Sequence, residues 1–338
     1  MVLVRTVERD RPTTGGKKMK DSYDVVIVGG GAAGLGGALA LTRARRSVVV
    51  IDGGAPRNAP AEHMHNYLGR EGTAPRDLLA IGREEVAGYG GEIVDGQVVE
   101  ATRTDDGFRV RTAAGSEVSA RMLLVTTGLV DELPDVPGVG ARWGRDVLHC
   151  PYCHGWEVRD AAIGVIATSP VATHQVLMWR QWTNDLILFT HTAPDFSSED
   201  LEKFAASGIE IVDGRVAGVE ATGDRLTGVS VEGRGVIARD ALVVPPRFVA
   251  RSALLESLGV ETAVQEMGDA VIGSYVPAGP TGETSVPGVW VAGNVTNPRA
   301  QVISAAAGGV DAGAMINAAL IEQDVAARVA ERRMSRLG

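Results

Sequence analysis

The run Asp24-Val25-Val26-Ile27-Val28, followed at once by Gly29-Gly30-Gly31-Ala32-Ala33-Gly34, restricts this chain more than any other feature. Apolar residues that stop at a glycine cluster and resume as an alanine- and leucine-rich stretch read as strand, tight turn and helix. A second strand, Ser47 to Ile51, ends on Asp52, 18 residues beyond Gly34. Each part has a physical task if the turn carries a dinucleotide. Gly29 permits the tight turn, Gly31 lets the backbone approach a pyrophosphate, and Gly34 lets helix and strand pack closely. Asp52 can accept hydrogen bonds from a ribose. Glycine-rich turns also arise for geometric reasons alone. Here strand, helix, second strand and terminal acid all fall where the motif requires, so a bound dinucleotide is expected.

A second unit follows. Leu123-Leu124-Val125-Thr126-Thr127-Gly128 reads as a buried strand running into a glycine turn. Beyond it lie a strand at Ala162 to Ile166, a helix at Val171 to Gln181 and a strand at Leu186 to Thr190. The expected fold class is therefore α/β, with two Rossmann-like, three-layer domains, the second inserted into the first. The expected boundaries are a disordered tail over 1–22, the first domain over 23–134, the inserted domain over 135–247, and the return of the first domain over 248–330. Near the end, Gln301 to Ala319 reads as an Ala/Gly-rich helix able to pack tightly on a sheet or ligand.

Composition removes several functions. With 338 residues, 45% of them hydrophobic, the chain can bury two cores. A net charge of -9 argues against a nucleic-acid partner, which needs a basic footprint. No apolar run reaches the ~18 to 20 residues of a membrane span, and no secretion signal is evident at the N-terminus. The expectation is a cytoplasmic protein with no membrane contact. Residues 1–20 mix Arg5, Arg9, Arg11, Lys17, Lys18 and Lys20 with Pro, Thr and Gly, too polar to fold alone. The two cysteines sit three apart, which rules out a structural disulfide framework.

Those cysteines lie in His149-Cys150-Pro151-Tyr152-Cys153-His154-Gly155. A CxxC forms a reversible short-loop disulfide, and adjacent imidazoles can lower a thiol pKa or move its proton. The competing readings are inert core thiols and a zinc site. Zinc needs four ligands in a tetrahedron, and no second CxxC or HxxxH exists to supply them. No metal is expected.

Together these segments resemble the low-molecular-weight thioredoxin reductase family of flavoproteins, over about Tyr23 to Val329. That resemblance implies FAD, held by Gly29, Gly31, Gly34 and Asp52 and by Thr284 to Asn294, with Cys150 and Cys153 as the redox pair. It also implies cofactor contacts from Ala32, Ala33, Asn66, Thr127, Gly128, Gly293, Ala300, Gln301 and Val302. A homodimer is expected on the same ground. Asn294 replaces the aspartate that usually bonds the flavin ribitol, but keeps an acceptor oxygen.

Two departures bear on the second nucleotide. Where the family has G-x-G-x-x-A, this chain reads Ala167-Thr168-Ser169-Pro170-Val171-Ala172, and where the family has H-R-R it reads His191-Thr192-Ala193. Side chains at Ala167 and Ser169 would fill the space of a pyrophosphate, and Pro170 removes an N–H at the helix entry. Loss of both arginines removes the anchor for a 2'-phosphate. NADPH binding is therefore not expected. A third departure is His154, where thioredoxin reductases carry an aspartate.

CPYCHG with an eroded nicotinamide motif resembles the dithiol oxidases of the gliotoxin and holomycin type. This implies electron flow from a small dithiol through the cysteines to FAD and then to O2. Cys150 would face the substrate, Cys153 would face the flavin, and His149 or His154 would serve as base. The helix starting near Gln301 would point its N-terminus at the flavin. Two alternatives stay open: an NADPH-dependent thioredoxin reductase, with thioredoxin as partner, and a flavin redox sensor without rapid turnover.

Overall fold

In the computed structural model, residues 19–193 and 195–336 are described. The expected βαβ start is present as strand Ser22–Val28, helix Ala32–Arg43 and strand Val48–Asp52. These two strands pair in parallel, Val25 opposite Val48 through Val28 opposite Ile51. Val25 to Ile27 and Val48 to Ile51 are buried, as a strand covered on both faces requires. Glu92–Asp95 extends the sheet beyond Val48–Asp52, Glu117–Val125 lies on the other side of Ser22–Val28, and Val289–Val291 returns late in the chain to pair with Glu117–Val125. Antiparallel strands Gly107–Thr112 and Val98–Thr104 complete seven.

A second, five-stranded sheet is all parallel, in the order Glu210–Val212, Leu186–Phe189, Ile163–Ile166, Ala241–Val243 and Val147–Leu148. Every one of its strands falls within 147–243, between strands of the first sheet in sequence. An antiparallel meander, Val216–Thr222, Arg225–Val231 and Gly235–Ala238, shares its core through Val216, Leu226, Val229 and Val231. The chain passes between the two units on a two-stranded ribbon. Leu129–Glu132 leads out and Arg247–Ala250 leads back, paired antiparallel with Asp131 opposite Phe248. Ala263–Met267 and Ala270–Tyr275 extend that ribbon into a four-stranded sheet. The ribbon and the meander were not foreseen from the sequence; the strands expected from Asp24, Ser47, Ala162 and Leu186 and the helix from Val171 fall within two residues of their places, the strand expected at Leu123 begins earlier, at Glu117, and one helix is the larger exception.

That exception is the last helix, expected over Gln301 to Ala319 and found over Val302–Met334. Its inner face is buried only as far as Leu320, and the apolar pattern fades there. The remaining residues are mostly strong helix formers, with no Gly or Pro, so the helix runs on exposed. Asp324 on this extension bonds Arg46 at 2.9 Å and Arg121 at 2.6 Å. Contrary to the sequence reading, this helix holds an 18-residue stretch long and apolar enough to cross a membrane by length and composition. Its Gly309, Ala312, Gly313, Ile316 and Leu320 are instead buried in the protein core. Of the expected tail, residues 19–22 are described and joined to the fold. Met19 packs on the core, the Lys20 N–H donates to the Tyr23 hydroxyl, and the Lys20 ammonium meets Glu92 at 3.0 Å. The rest of the tail, 1–18, lies outside the described residues.

The first and last helices cross with almost no side chain between them. A Cβ on Gly309 would lie 1.9 Å from the Ala33 carbonyl oxygen, whereas one on Gly308 would meet nothing within 4 Å. The two neighbours should therefore respond oppositely. Gly309→Ala is expected to cost about 1–3 kcal/mol by forcing the helices apart, and Gly308→Ala to gain up to about 1 kcal/mol of helix propensity. Denaturant unfolding of the two variants checks the pair.

Candidate functional site

The glycine turn is built as its spacing requires. Gly29 has φ +105°, and the Thr126 hydroxyl closes the turn by bonding the carbonyls of Val28 and Gly29 at 3.0 and 2.9 Å. A Cβ on Gly34 would stand 1.9 Å from the Gly29 oxygen, so helix and strand touch there. A Cβ on Gly31 would meet nothing within 4 Å, which leaves the turn open to a ligand on that side. Helix Ala32–Arg43 starts with no side-chain cap and no acid in its first turn. Its first N–H groups and its dipole are thus available to an anion. These features fit the pyrophosphate of a dinucleotide.

Asp52 ends its strand beside this turn. It accepts the Gly30 N–H at 3.0 Å and pairs with Arg83 from helix Pro75–Gly88. Sequence reasoning missed both partners. A Cβ on Gly30 would lie 2.6 Å from the Asp52 carboxyl carbon, so the middle glycine is what admits the carboxylate. That signal was present in the triplet. Arg83, 31 residues from Asp52, left none.

The C-terminal segment comes to the same place. Gly293, at φ +78°, lies where a Cβ would be 2.9 Å from Ala33. The Asn294 side-chain N–H2 donates to the carbonyls of Asn297, Pro298 and Ala300 at 3.1, 3.3 and 3.0 Å. This orders the loop entering the long helix, which starts at Val302 with Gln301 as an N-cap that makes no side-chain bond. Asparagine therefore does work that aspartate, an acceptor when ionised, cannot. Thr127 and Gly128 secure the returning chain, the Thr127 hydroxyl bonding the Arg251 carbonyl at 2.8 Å and the Gly128 carbonyl accepting the Arg251 N–H at 3.0 Å.

The cysteines sit on a short helix, Pro151–His154, with Cys150 as its N-cap and both thiols free and partly buried. They are unequal. The Cys153 thiol, donating to Cys150, together with the backbone N–H groups of Cys153 and Tyr152 and the Arg57 charge, outweighs burial and brings Cys150 down to about 7. The same S–H···S hydrogen bond, burial and the neighbouring negative charge push Cys153 far upward. Cys150 is thus the more acidic of the two thiols.

The histidines differ as well. His149 is buried, which together with Arg57 pushes its pKa down to about 4 against the opposing pull of Asp131. Its ring meets Phe248 edge-on at 5.1 Å, and its Nδ1 is buried without a hydrogen-bond partner among the described residues. His154 is also lowered by burial, but the carboxylate of Glu157 pulls the other way. Glu157 belongs to a contact that sequence reasoning did not foresee. His65 reaches Glu71 at 2.5 Å and Glu157 at 3.4 Å, and the Asn66 side chain donates to the Tyr152 carbonyl at 2.6 Å. A loop that follows the Asp52 strand thus clasps the cysteine helix of the other unit. Asn66 is held at φ +62° there. On a further side, Trp182 meets Tyr152 edge-on at 5.7 Å and lines a cleft of about 350 Å³ with Trp156, Arg159, Asp160 and Gln181.

In the second unit, Ala167 is fully buried and its carbonyl accepts the N–H groups of Thr192 and Ala193 at 3.3 and 3.1 Å. Pro170 is the N-cap of helix Val171–Trp179. The His191 ring accepts the Val216 N–H through Nδ1 at 3.1 Å. Among the described residues, no group of three or more His, Cys, Asp or Glu side chains could hold a metal ion.

Two outcomes follow from these bonds. In the reduced protein, alkylation of Cys150 by iodoacetamide should rise with pH and reach half its maximum near the acidity of that thiol, about 7, with Cys153 inert over the same range. Peptide mapping by mass spectrometry at each pH reads both. Asn294→Asp should cost about 1–3 kcal/mol by leaving carbonyls unpaired against a carboxylate, seen as a lower melting temperature.

Comparison with known proteins agrees with this geometry. The family model for pyridine nucleotide-disulphide oxidoreductases matches residues 23–310. The chain is 30% identical to thioredoxin reductase tcpT of Claviceps purpurea over 312 residues, 88% of this chain and 94% of that one. Identity to thioredoxin reductase sirT of Leptosphaeria maculans is also 30%, over 90% and 97% of the two chains. Among solved structures, HlmI superposes with a TM-score of 0.87 at 44% identity, over 95% of this chain and 99% of that one. Membership of such a family implies an FAD cofactor, which the glycine turn fits. The chain belongs to the pyridine nucleotide-disulphide oxidoreductase family, as an FAD-dependent, thioredoxin reductase-like disulfide oxidoreductase.

Proposed function

We propose that this protein is a dithiol oxidase that closes an intramolecular disulfide in a small natural-product dithiol, with O2 as electron acceptor. The observation that carries the reading is the second nucleotide turn. Ala167 fills it, its carbonyl is engaged by Thr192 and Ala193, Pro170 occupies the helix entry, and His191 is spent on Val216. A phosphorylated nicotinamide finds no glycine cradle there and neither arginine of the family's H-R-R segment. The likeness to HlmI and to the fungal tcpT and sirT, together with CPYCHG, supports the same branch.

The chemistry starts from the oxidised Cys150–Cys153 pair. One substrate thiol, deprotonated, attacks the Cys150 sulfur, and Cys153 leaves as thiolate, giving a mixed disulfide with Cys150. The second substrate thiol attacks its own partner sulfur, forms the cyclic disulfide and releases Cys150. Two electrons and two protons have then moved from substrate to the pair. Release of Cys150 is favoured because it is the better stabilised thiolate. His154 is the better base of the two histidines, since Glu157 supports its protonated form whereas His149 is held neutral. Bound FAD would supply the two-electron acceptor for the reduced pair and the route from it to O2, with hydrogen peroxide as the product. Gly29, Gly31, Ala32, Ala33, Gly34 and Asp52 would hold its pyrophosphate and ribose. Thr127, Gly128, Gly293, Asn294, Ala300, Gln301 and Val302 would hold the rest, together with Asn66, whose side chain bonds the cysteine helix. The proposal includes a cytoplasmic location away from membranes and nucleic acid, and a homodimer.

The names of the fungal relatives favour one other reading, NADPH-dependent reduction of thioredoxin by the same cysteines. Anaerobic mixing watched at the flavin absorbance separates the two. A small cyclisable dithiol should bleach the flavin readily and NADPH slowly or not at all; bleaching by NADPH within one turnover would establish the reductase. His154→Gln should slow the dithiol-driven bleaching by ~10² to 10⁴, and His149→Gln by less. Equal losses in the two variants would remove the assignment of the base.

A further inference from the structure

Three of the five tryptophans, Trp156, Trp179 and Trp182, gather beside the cysteine helix, and thiol exchange makes use of none of them. Trp179 is fully buried and its indole N–H donates to the His149 carbonyl at 3.4 Å, just before Cys150. Its ring meets that of Trp182 at 6.2 Å, and Trp182 meets Tyr152, which stands between the two cysteines, edge-on at 5.7 Å. A Cβ on Gly155 would lie 2.8 Å from the Trp182 indole nitrogen, so the residue that ends the cysteine helix is a glycine where that ring presses on it. The aromatic row thus braces both ends of the helix. Trp182 also lines the cleft of about 350 Å³, together with Trp156.

Trp156 differs from the other two. It follows Cys153 by three residues, about one helical turn, and 67% of it is exposed, as is 60% of Tyr152. Exposed aromatics that cluster rather than scatter mark contact sites. The Arg159 guanidinium lies over the Trp156 ring, 4.1 Å from its centre, and donates to the Trp156 carbonyl at 2.5 Å. This pins the indole and covers one of its faces. Arg159 and Asp160 at the rim enter no ion pair among the described residues. Asp160, at φ +60°, donates its N–H to the Trp182 carbonyl at 2.9 Å. A pinned and exposed indole, a second indole held by packing and a polar rim make a slot for a flat apolar ring with polar substituents.

We propose that this cleft is the ring subsite of the substrate. The dithiol that the cysteines oxidise carries its two thiols on a planar aromatic or unsaturated ring, which stacks on Trp156 and presents the thiols to the cysteine helix. Trp156 determines specificity and takes no part in the exchange. Stacking against the face that Arg159 leaves open selects for flatness rather than charge, and the free charges of Arg159 and Asp160 meet polar substituents at the ring edge.

This inference rests on the proposed oxidation of a small dithiol, and two readouts keep them apart. The first is oxygen uptake by the holoprotein with two cyclisable dithiols, ortho-benzenedimethanethiol, which has the ring, and dithiothreitol, which lacks it. Trp156→Ala should raise KM for the aryl dithiol about tenfold, the scale of one aromatic stack, with much smaller changes in kcat and in KM for dithiothreitol. Trp156→Phe should recover most of the loss. The second readout is binding of ortho-benzenedimethanol, whose hydroxyls cannot enter the exchange, followed by saturation-transfer NMR. The diol should bind saturably to wild type and about tenfold more weakly to Trp156→Ala. Arg159→Met, which unpins the indole, should weaken it about threefold, and decides the matter should Trp156→Ala lose its flavin absorbance or melting transition. An equal rise in KM for both dithiols, a fall in kcat alone, or no binding of the diol by wild type would overturn the proposal. A loss in Trp156→Ala confined to the reduction of thioredoxin would overturn it too, by assigning the cleft to a protein partner. If wild type oxidised neither dithiol yet bound the diol through Trp156, the oxidase reading would fail while the ring subsite remained, so the two failures are distinguishable.

Discussion

The contact on which everything else depends is the bare crossing of the first helix, Ala32–Arg43, with the last, Val302–Met334. Gly309 rests on the Ala33 carbonyl and Gly293 beside the Ala33 side chain, so two segments almost 270 residues apart bring their N-termini to one region. Both helices begin without a side-chain cap or an acid in the first turn. Unpaired N–H groups at a helix start are a liability unless a ligand or water takes them up. Two of them converging makes a site for a ligand with an anionic part, and an FAD fits. The strands beneath, from Ser22–Val28 to Val289–Val291, are paired in parallel and buried on both faces.

The second dependence runs between the two units. The cysteine helix belongs to the inserted sheet, but its environment is supplied from outside. Asn66 and His65 touch its carbonyl and its acidic neighbour, and Arg57 and Phe248 reach His149. A CxxC in isolation has two ordinary thiols. Here the sulfurs differ because one stands at the start of a short helix and accepts from backbone N–H groups and from the other thiol, while that other thiol donates to it. Chemistry that needs one leaving thiolate and one resolving thiol gains from that inequality.

The parts legible in the sequence are those encoded within a few residues. Gly29, Gly31 and Gly34 announce their geometry because turn, approach and packing each forbid a side chain at a fixed place. Cys150 and Cys153 announce theirs by spacing. What could not be read depends on contacts across the chain. Thr126 rather than Thr127 closes the Gly29 turn, and nothing in the sequence distinguishes the two hydroxyls. Arg83 and Arg57 are two of 33 basic residues until the fold places them against Asp52 and Asp131. The last helix outruns its apolar face because charged helix formers carry no stop signal. The choice between His149 and His154 was open in the heptapeptide. It turns on what surrounds each ring, an apolar pocket with Arg57 nearby or a carboxylate at Glu157.

The central claim is that electrons enter from a dithiol and leave to oxygen without a nicotinamide. Its most direct test is stoichiometry in an oxygen electrode, with a small cyclisable dithiol as sole reductant and free thiols counted in parallel. The account predicts one O2 consumed and one hydrogen peroxide formed for each dithiol closed, at a rate indifferent to added NADPH. Thiol loss without oxygen uptake, or turnover that appears only when NADPH and an oxidised thioredoxin are supplied together, would contradict it.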